Sequence, residues 1–196
     1  MNKTNYLLLT IILLCFQGCE NKNDSHTLNE DKNDSHVKKN IVPIEHNHTF
    51  ILKKDAIETY TFKTKVNNVH FVERKEPLLM VHFFATWCPP CQYEAPYLID
   101  LQNKYKETLF IAGLIVNDPI LDETLQALKE KKKLNYFIAN NQKNIKIAHT
   151  LIEELQLEKN FQLPLTILYK NGRYLTHYEG AVPIEMIEHD IKQAIK

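Results

Sequence analysis

Two cysteines separated by two prolines stand where an apolar run ends and a helical pattern begins, in Trp87-Cys88-Pro89-Pro90-Cys91. The preceding run, Leu78-Leu79-Met80-Val81-His82-Phe83-Phe84-Ala85, is short, apolar and rich in β-formers, which predicts a buried strand. After Cys91 the apolar residues Ala95, Leu98, Ile99, Leu101 and Tyr105 follow a helical period, so a helix is expected to about Tyr105, kinked at Pro96. A helix N-terminus offers unpaired N–H groups and the positive end of the helix dipole, and both stabilise a thiolate. Such placement can lower a cysteine pKa from ~8.5 into a range of ~3.5–7.5. Cys-x-x-Cys beside an α/β pattern suits redox chemistry. Two other uses stay open at this level, half of a zinc site and a small structural staple. A structural zinc site wants four ligands, and no second Cys-x-x-Cys or His-x3–5-His pair accompanies this one, so no metal ligands are assigned.

The N-terminus changes the cysteine arithmetic. Lys3 precedes an apolar run over 6–16 that is broken only by Thr10, and a spanning helix needs about 20 apolar residues. The run therefore reads as the core of a signal peptide, 1–18. It ends in Phe16-Gln17-Gly18-Cys19, which resembles a bacterial lipoprotein box, with Gly18 at the cleavage position and Cys19 as the lipid acceptor. Cys15 would leave with the leader, so the mature chain would hold only Cys88 and Cys91 as a free pair. Residues 19–45 form the expected tether. Within it, residues 20–40 are almost free of apolar side chains, repeat Lys-Asn-Asp-Ser-His at Lys22 and Lys32, and cannot bury enough apolar area to order themselves. The tether histidines, His46 and His48 have only weak claims as metal ligands, since no cysteine or carboxylate clusters with them. Charge is balanced, 24 basic against 24 acidic residues, and nothing points to nucleic acid.

Residues 46–196 are expected to form one domain. Strands are predicted over 49–52 and 57–62, with Lys53-Lys54-Asp55 as their turn, and a third short segment over 69–72. These make an N-terminal hairpin or edge addition. Pro77 leads into the central strand. The apolar run 109–116 is a second buried strand, followed by a helix over 121–132 with Leu121, Leu125 and Leu128 on one face. A short strand over 136–139 and a helix over 145–157 follow, and this stretch reads as an insertion. The strand 163–169 begins at Pro164, which suits a strand start or edge. Asn171-Gly172 is a hairpin turn signal, 173–178 is the returning strand, and Gly180 breaks it. Pro183 opens a last helix with Ile184, Ile187, Ile191 and Ile195 on one face. Alternating strands and helices predict a mostly parallel sheet covered on both faces, with the final hairpin adding antiparallel strands.

Phe84-Ala85-Thr86-Trp87-Cys88-Pro89-Pro90-Cys91, Glu94, Pro96, Leu163-Pro164-Leu165-Thr166, Asn171-Gly172-Arg173 and Gly180 together resemble the TlpA/ResA-like thiol–disulfide oxidoreductases of the thioredoxin-fold superfamily. The resemblance covers about 77–196 and, more loosely, the hairpin from Thr49. It implies an α/β thioredoxin fold: a central mixed sheet with helices on both faces, an N-terminal hairpin and a helical insertion. It implies a cis peptide before Pro164, facing the disulfide, and a groove for the partner chain framed by Trp87 and Pro164. Cys88, nearer the helix start and expected to be the more exposed, is the nucleophile, and Cys91 resolves the mixed disulfide. Pro89 and Pro90 remove backbone donors from the loop, which argues against a strong oxidant. Glu94 either tunes the cysteine pair, as its counterpart does in ResA-like proteins, or merely favours the helix dipole.

His82 departs from the pattern of the resemblance, in which cytosolic thioredoxins carry a buried aspartate there and TlpA-like members often an asparagine. It reads as a core histidine bonded to backbone, or as a proton relay for Cys91. Leu165 replaces a more polar residue. The implied activity is reduction of exported protein disulfides, apocytochrome c among them. A membrane electron carrier would feed it, the only cofactor-like group being the Cys88–Cys91 disulfide. The site is a bacterial cell envelope, with the domain lipid-anchored and facing the periplasm or exterior. An oxidase or isomerase of exported proteins is the alternative, and a copper-binding assembly lipoprotein a lesser one.

Overall fold

The structure, a computed structural model, describes residues 47–53, 58–65 and 68–196. The expected leader, Cys19, the tether and the turn at Lys54-Asp55 lie outside the described residues. Three strands, β1 (Asn47–Lys53), β2 (Thr59–Lys65) and β3 (Asn68–Phe71), form an antiparallel sheet in the order β1-β2-β3. The expected hairpin is present as β1 against β2, and β3 extends it to a three-stranded sheet. The 69–72 segment pairs with β2, Phe71 opposite Phe62, because that register keeps Phe62, Phe71 and Val69 on one buried face.

The second sheet has five strands. β4 (Leu78–Phe84) lies at its centre, between β5 (Leu109–Ile115) and β7 (Leu165–Lys170); β6 (Phe137–Asn140) lies beyond β5 and β8 (Arg173–Glu179) beyond β7. β4, β5 and β6 are parallel, while β7 and β8 are antiparallel to their neighbours. β4 and β5 are buried along their whole length, as strands covered on both faces must be. The stretch read as an insertion is built into this sheet. It supplies edge strand β6 and helix α3 (Asn144–Glu154), which packs Ile147, Ala148, Leu151 and Ile152 into the core.

The alternation along β4 sorts the two cores. Leu79, Val81 and Phe83 face the N-terminal sheet and α3, while Leu78, Met80 and Phe84 face α1 (Pro89–Lys104), α2 (Asp122–Lys132) and α4 (Ile184–Ile195). His82 shares the parity of Met80 and Phe84, so it lies on the face that α1 covers. α1 starts at Pro89, before Cys91, and runs without interruption through Pro96. Only Leu125 of α2 is fully buried; Leu121 precedes the helix and is 71% exposed, because it sits at the N-cap. The Asn171-Gly172 turn has φ of 51° and 78°, the left-handed pair that a tight hairpin requires.

Candidate active site

Cys88 caps α1. Its backbone is extended (φ −82°, ψ 111°), and Pro89 and Pro90 hold the first two helical positions, where their missing N–H groups cost nothing. Cys91 N–H is therefore the first donor the helix offers, and it donates to Cys88 Sγ at 3.3 Å. Cys88 and Cys91 form a disulfide with Cα atoms 5.3 Å apart. Both are 3% exposed, so exposure does not distinguish nucleophile from resolving residue. The bond between them covers each sulfur with the other; the helix start and the Cys91 N–H distinguish Cys88 instead.

The loop before the disulfide is held from the end of β5. Asp118 Oδ2 accepts from both Thr86 N–H and Thr86 Oγ1–H, each at 2.6 Å. Thr86 O accepts from Gln92 Nε2 at 2.6 Å, and Trp87 Nε1 donates to Asn117 O at 3.2 Å. Asn117 is left-handed (φ 53°), which turns the chain sharply after β5. Trp87 remains 59% exposed beside Cys88.

The Leu163–Pro164 peptide is cis, and Pro164 is buried. Pro164 O accepts from Gly180 N–H at 2.8 Å, and Gly180 has φ 70°, so the break in β8 serves the turn beside Pro164. Two residues on, Thr166 pairs in register with His82, and His82 Nδ1 meets Thr166 Oγ1 at 2.9 Å. The partner of His82 is thus a side chain of the neighbouring strand, not backbone. Its ring stacks on Phe84, with centroids 5.4 Å apart. Burial drives its pKa down to about 3, which keeps the imidazole neutral. A ring that resists protonation is a poor proton store, and the relay reading loses support.

Glu94 lies on the buried face of α1 with Cys91, Leu98 and Leu101, at 5% exposure, and α1 has no acidic residue in its first turn. The dipole reading fails on both counts. Its Oε2 is buried with no hydrogen-bond partner, and desolvation raises its pKa to about 7. Tyr136 is close enough for the Glu94 charge to add to the rise that burial causes in its own pKa.

Sequence reasoning passed over Asp118, Asn117 and Asn144. Fully buried Asn144 donates through Nδ2 to Ile115 O at 2.9 Å and Ala139 O at 2.8 Å, clipping the ends of β5 and β6 together. The available signal was positional: Asn117-Asp118 directly follows a buried parallel strand, where α/β sheets place their sites. Among the described residues no group of three or more His, Cys, Asp or Glu is placed to hold a metal ion.

The family model described as Redoxin matches residues 48–177. The chain is 28% identical over 125 residues to thioredoxin Y, chloroplastic, of Oryza sativa subsp. japonica, covering 64% of this chain and 55% of that protein. It is 30% identical over 112 residues to the thiol-disulfide oxidoreductase ResA of Oceanobacillus iheyensis, covering 56% and 53%. The chain thus spans about half the length of these two relatives. A thiol:disulfide interchange protein of the thioredoxin family from Chlorobium tepidum TLS superposes with a TM-score of 0.57 at 16% identity, covering 76% of this chain and 94% of that one. That superposition shows the thioredoxin fold.

Proposed function

The chain belongs to the Redoxin family, and on that basis we propose that it is a thiol–disulfide oxidoreductase that reduces disulfides of other proteins through Cys88 and Cys91. The observation that carries this reading is the disulfide capping α1, with Cys91 N–H on Cys88 Sγ. In the reduced enzyme that N–H favours the thiolate of Cys88. The thiolate attacks one sulfur of the partner disulfide; a Cys88–partner bond forms and the other partner sulfur leaves as a thiolate. Cys91 then loses its proton and attacks Cys88 Sγ, closing the Cys88–Cys91 disulfide and releasing the second partner thiol. Glu94, one turn beyond Cys91 with a pKa of about 7, is the acceptor for that proton when ionised. Two electrons pass to the partner, and the enzyme needs no cofactor beyond its own disulfide.

The finer reading is a lipid-anchored protein of the bacterial envelope, with Cys19 carrying the lipid. It would be re-reduced by a membrane electron carrier and would act on exported proteins such as apocytochrome c. The leader-like run and Gly18-Cys19 support the anchor. No helix among the described residues is long and apolar enough to cross a membrane.

Insulin reduction tests the activity: wild type should accelerate it, and Cys88→Ser should abolish the acceleration. Equal turbidity curves for the two would sink the reading. A reduction potential near ~ −120 mV would instead assign an oxidase. Cys19→Ser should release the protein from the membrane fraction; unchanged partitioning would remove the anchor.

A further inference from the structure

We propose that the cleft at the carboxyl ends of β5 and β6 docks an extended polypeptide, the stretch flanking the reactive cysteine of the protein substrate. This rests on the oxidoreductase reading above. The cleft has a volume of about 620 Å³, within the range of ~300–1,000 Å³ typical of binding sites. Asn117, Asp118, Leu121, Asn140, Asn141 and Gln142 are prominent in its lining. It lies outside the carboxyl ends of the neighbouring parallel strands β5 and β6.

The lining decides the ligand class. It contains no lysine, arginine or histidine, so it does not suit a phosphate or another anion. Its one carboxylate, Asp118, accepts both Thr86 hydrogen bonds through Oδ2. Its other polar side chains are the carboxamides of Asn117, Asn140, Asn141 and Gln142, of which Asn140 already donates through Nδ2 to Ile120 O and Asp122 Oδ1. Asn141 Oδ1 accepts from Lys143 N–H at 2.8 Å, and its amino group makes no hydrogen bond among the described residues. The Asn117 and Gln142 side chains make no hydrogen bond among the described residues. A carboxamide carries donors and an acceptor together, which matches the alternating N–H and C=O of an extended peptide. Leu121, 71% exposed at the rim, supplies an apolar anchor.

Two residues of the cleft wall hold the loop that leads into the disulfide. Asn117 O holds the Trp87 indole, and Asp118 holds Thr86, so the two residues before Cys88 hang from the cleft wall. The proposed path takes a chain joined to Cys88 Sγ past the exposed Trp87 and on to the cleft. Asn144 keeps its floor fixed by tying β5 to β6.

The test uses the full chain carrying Cys91→Ser and a synthetic neutral peptide whose single cysteine is capped as its thionitrobenzoate disulfide. Cys88 thiolate attacks the peptide sulfur, the Cys88–peptide bond forms, and the peptide–thionitrobenzoate bond breaks with release of the coloured thiolate. A Cys88→Ser, Cys91→Ser variant measures the background from Cys15 and Cys19. The peptide should react at least tenfold faster than capped cysteine alone, and Leu121→Asp should remove most of that excess. In the mixed disulfide, amide exchange should slow at least tenfold at 117–121 and 140–143. Thionitrobenzoate release without protection in either segment, or a rate excess that survives Leu121→Asp, overturns the cleft and leaves the oxidoreductase reading standing. No release above background overturns both.

Discussion

Two buried ionisable side chains sit on the disulfide's face of the sheet, and folding moves their pKa values in opposite directions. Glu94 rises from 4.5 to about 7 on burial. Between those values the native state holds more proton than the unfolded chain, so stability falls as pH rises through that window. Glu94→Gln should remove this slope and stabilise the protein at pH 8 by up to about 3 kcal/mol, measured by urea unfolding across pH. The same variant should slow closure of the Cys88–Cys91 disulfide by about 10²-fold at neutral pH. Wild-type closure should speed up as pH passes 7, because only the ionised carboxylate can take the Cys91 proton, and the variant should lack that rise. His82 falls from 6.5 to about 3, so the unfolded chain binds its proton first. Its contribution is complete above pH 6.5 and is lost as pH drops toward 3. His82→Leu should flatten that acid limb and, by orphaning the buried Thr166 hydroxyl, cost about 1–3 kcal/mol at pH 7. An unchanged acid limb would show that His82 does not set it.

At the scale of elements, the start of α1 controls the chemistry. Pro89 and Pro90 leave Cys91 as the first amide donor. Pro90→Ala restores one N–H at the helix start, which should stabilise the Cys88 thiolate. The reduction potential should rise by roughly 30 mV, the equivalent of about 1.4 kcal/mol, in equilibration against glutathione. A lower potential in the variant would contradict the donor argument. β5 offers a packing test. A Cβ at Gly113 would meet Phe84 Cε1 at 3.0 Å and Tyr136 Cε2 at 3.2 Å. Both rings belong to the core beneath the disulfide, so Gly113→Ala should cost about 1–3 kcal/mol by overpacking, read as a lower denaturation midpoint.

For the molecule as a whole, aromatic side chains join the two sheets. Phe71 lies 5.0 Å from Phe62 within the N-terminal sheet, and 5.2 Å from Phe110 and 5.7 Å from Phe137 of the central sheet. Val69 N–H also donates to Gly172 O at 2.8 Å, tying β3 to the distant hairpin turn. Phe71→Ala should destabilise by about 3–5 kcal/mol, and both sheets should lose structure in a single transition. An early transition confined to β1–β3 would show instead that the N-terminal sheet folds independently.

Much of this architecture was legible locally. The strand 78–84, the Asn171-Gly172 turn and the last helix follow from apolar period and turn chemistry, which act between residues close in the chain. The Cys-x-x-Cys at a strand-to-helix handover was legible for the same reason, and so was a redox reading of it. The third N-terminal strand, the integration of β6 into the central sheet and the bond from His82 to Thr166 required the tertiary structure, because each depends on partners far away in sequence. So did the burial of Glu94, whose helical position alone allowed a solvated carboxylate. The amino-acid order determined where the two sulfurs meet a helix start. Only the folded sheet decided what surrounds them, because desolvation and hydrogen-bond partners are set by chain segments that meet through folding.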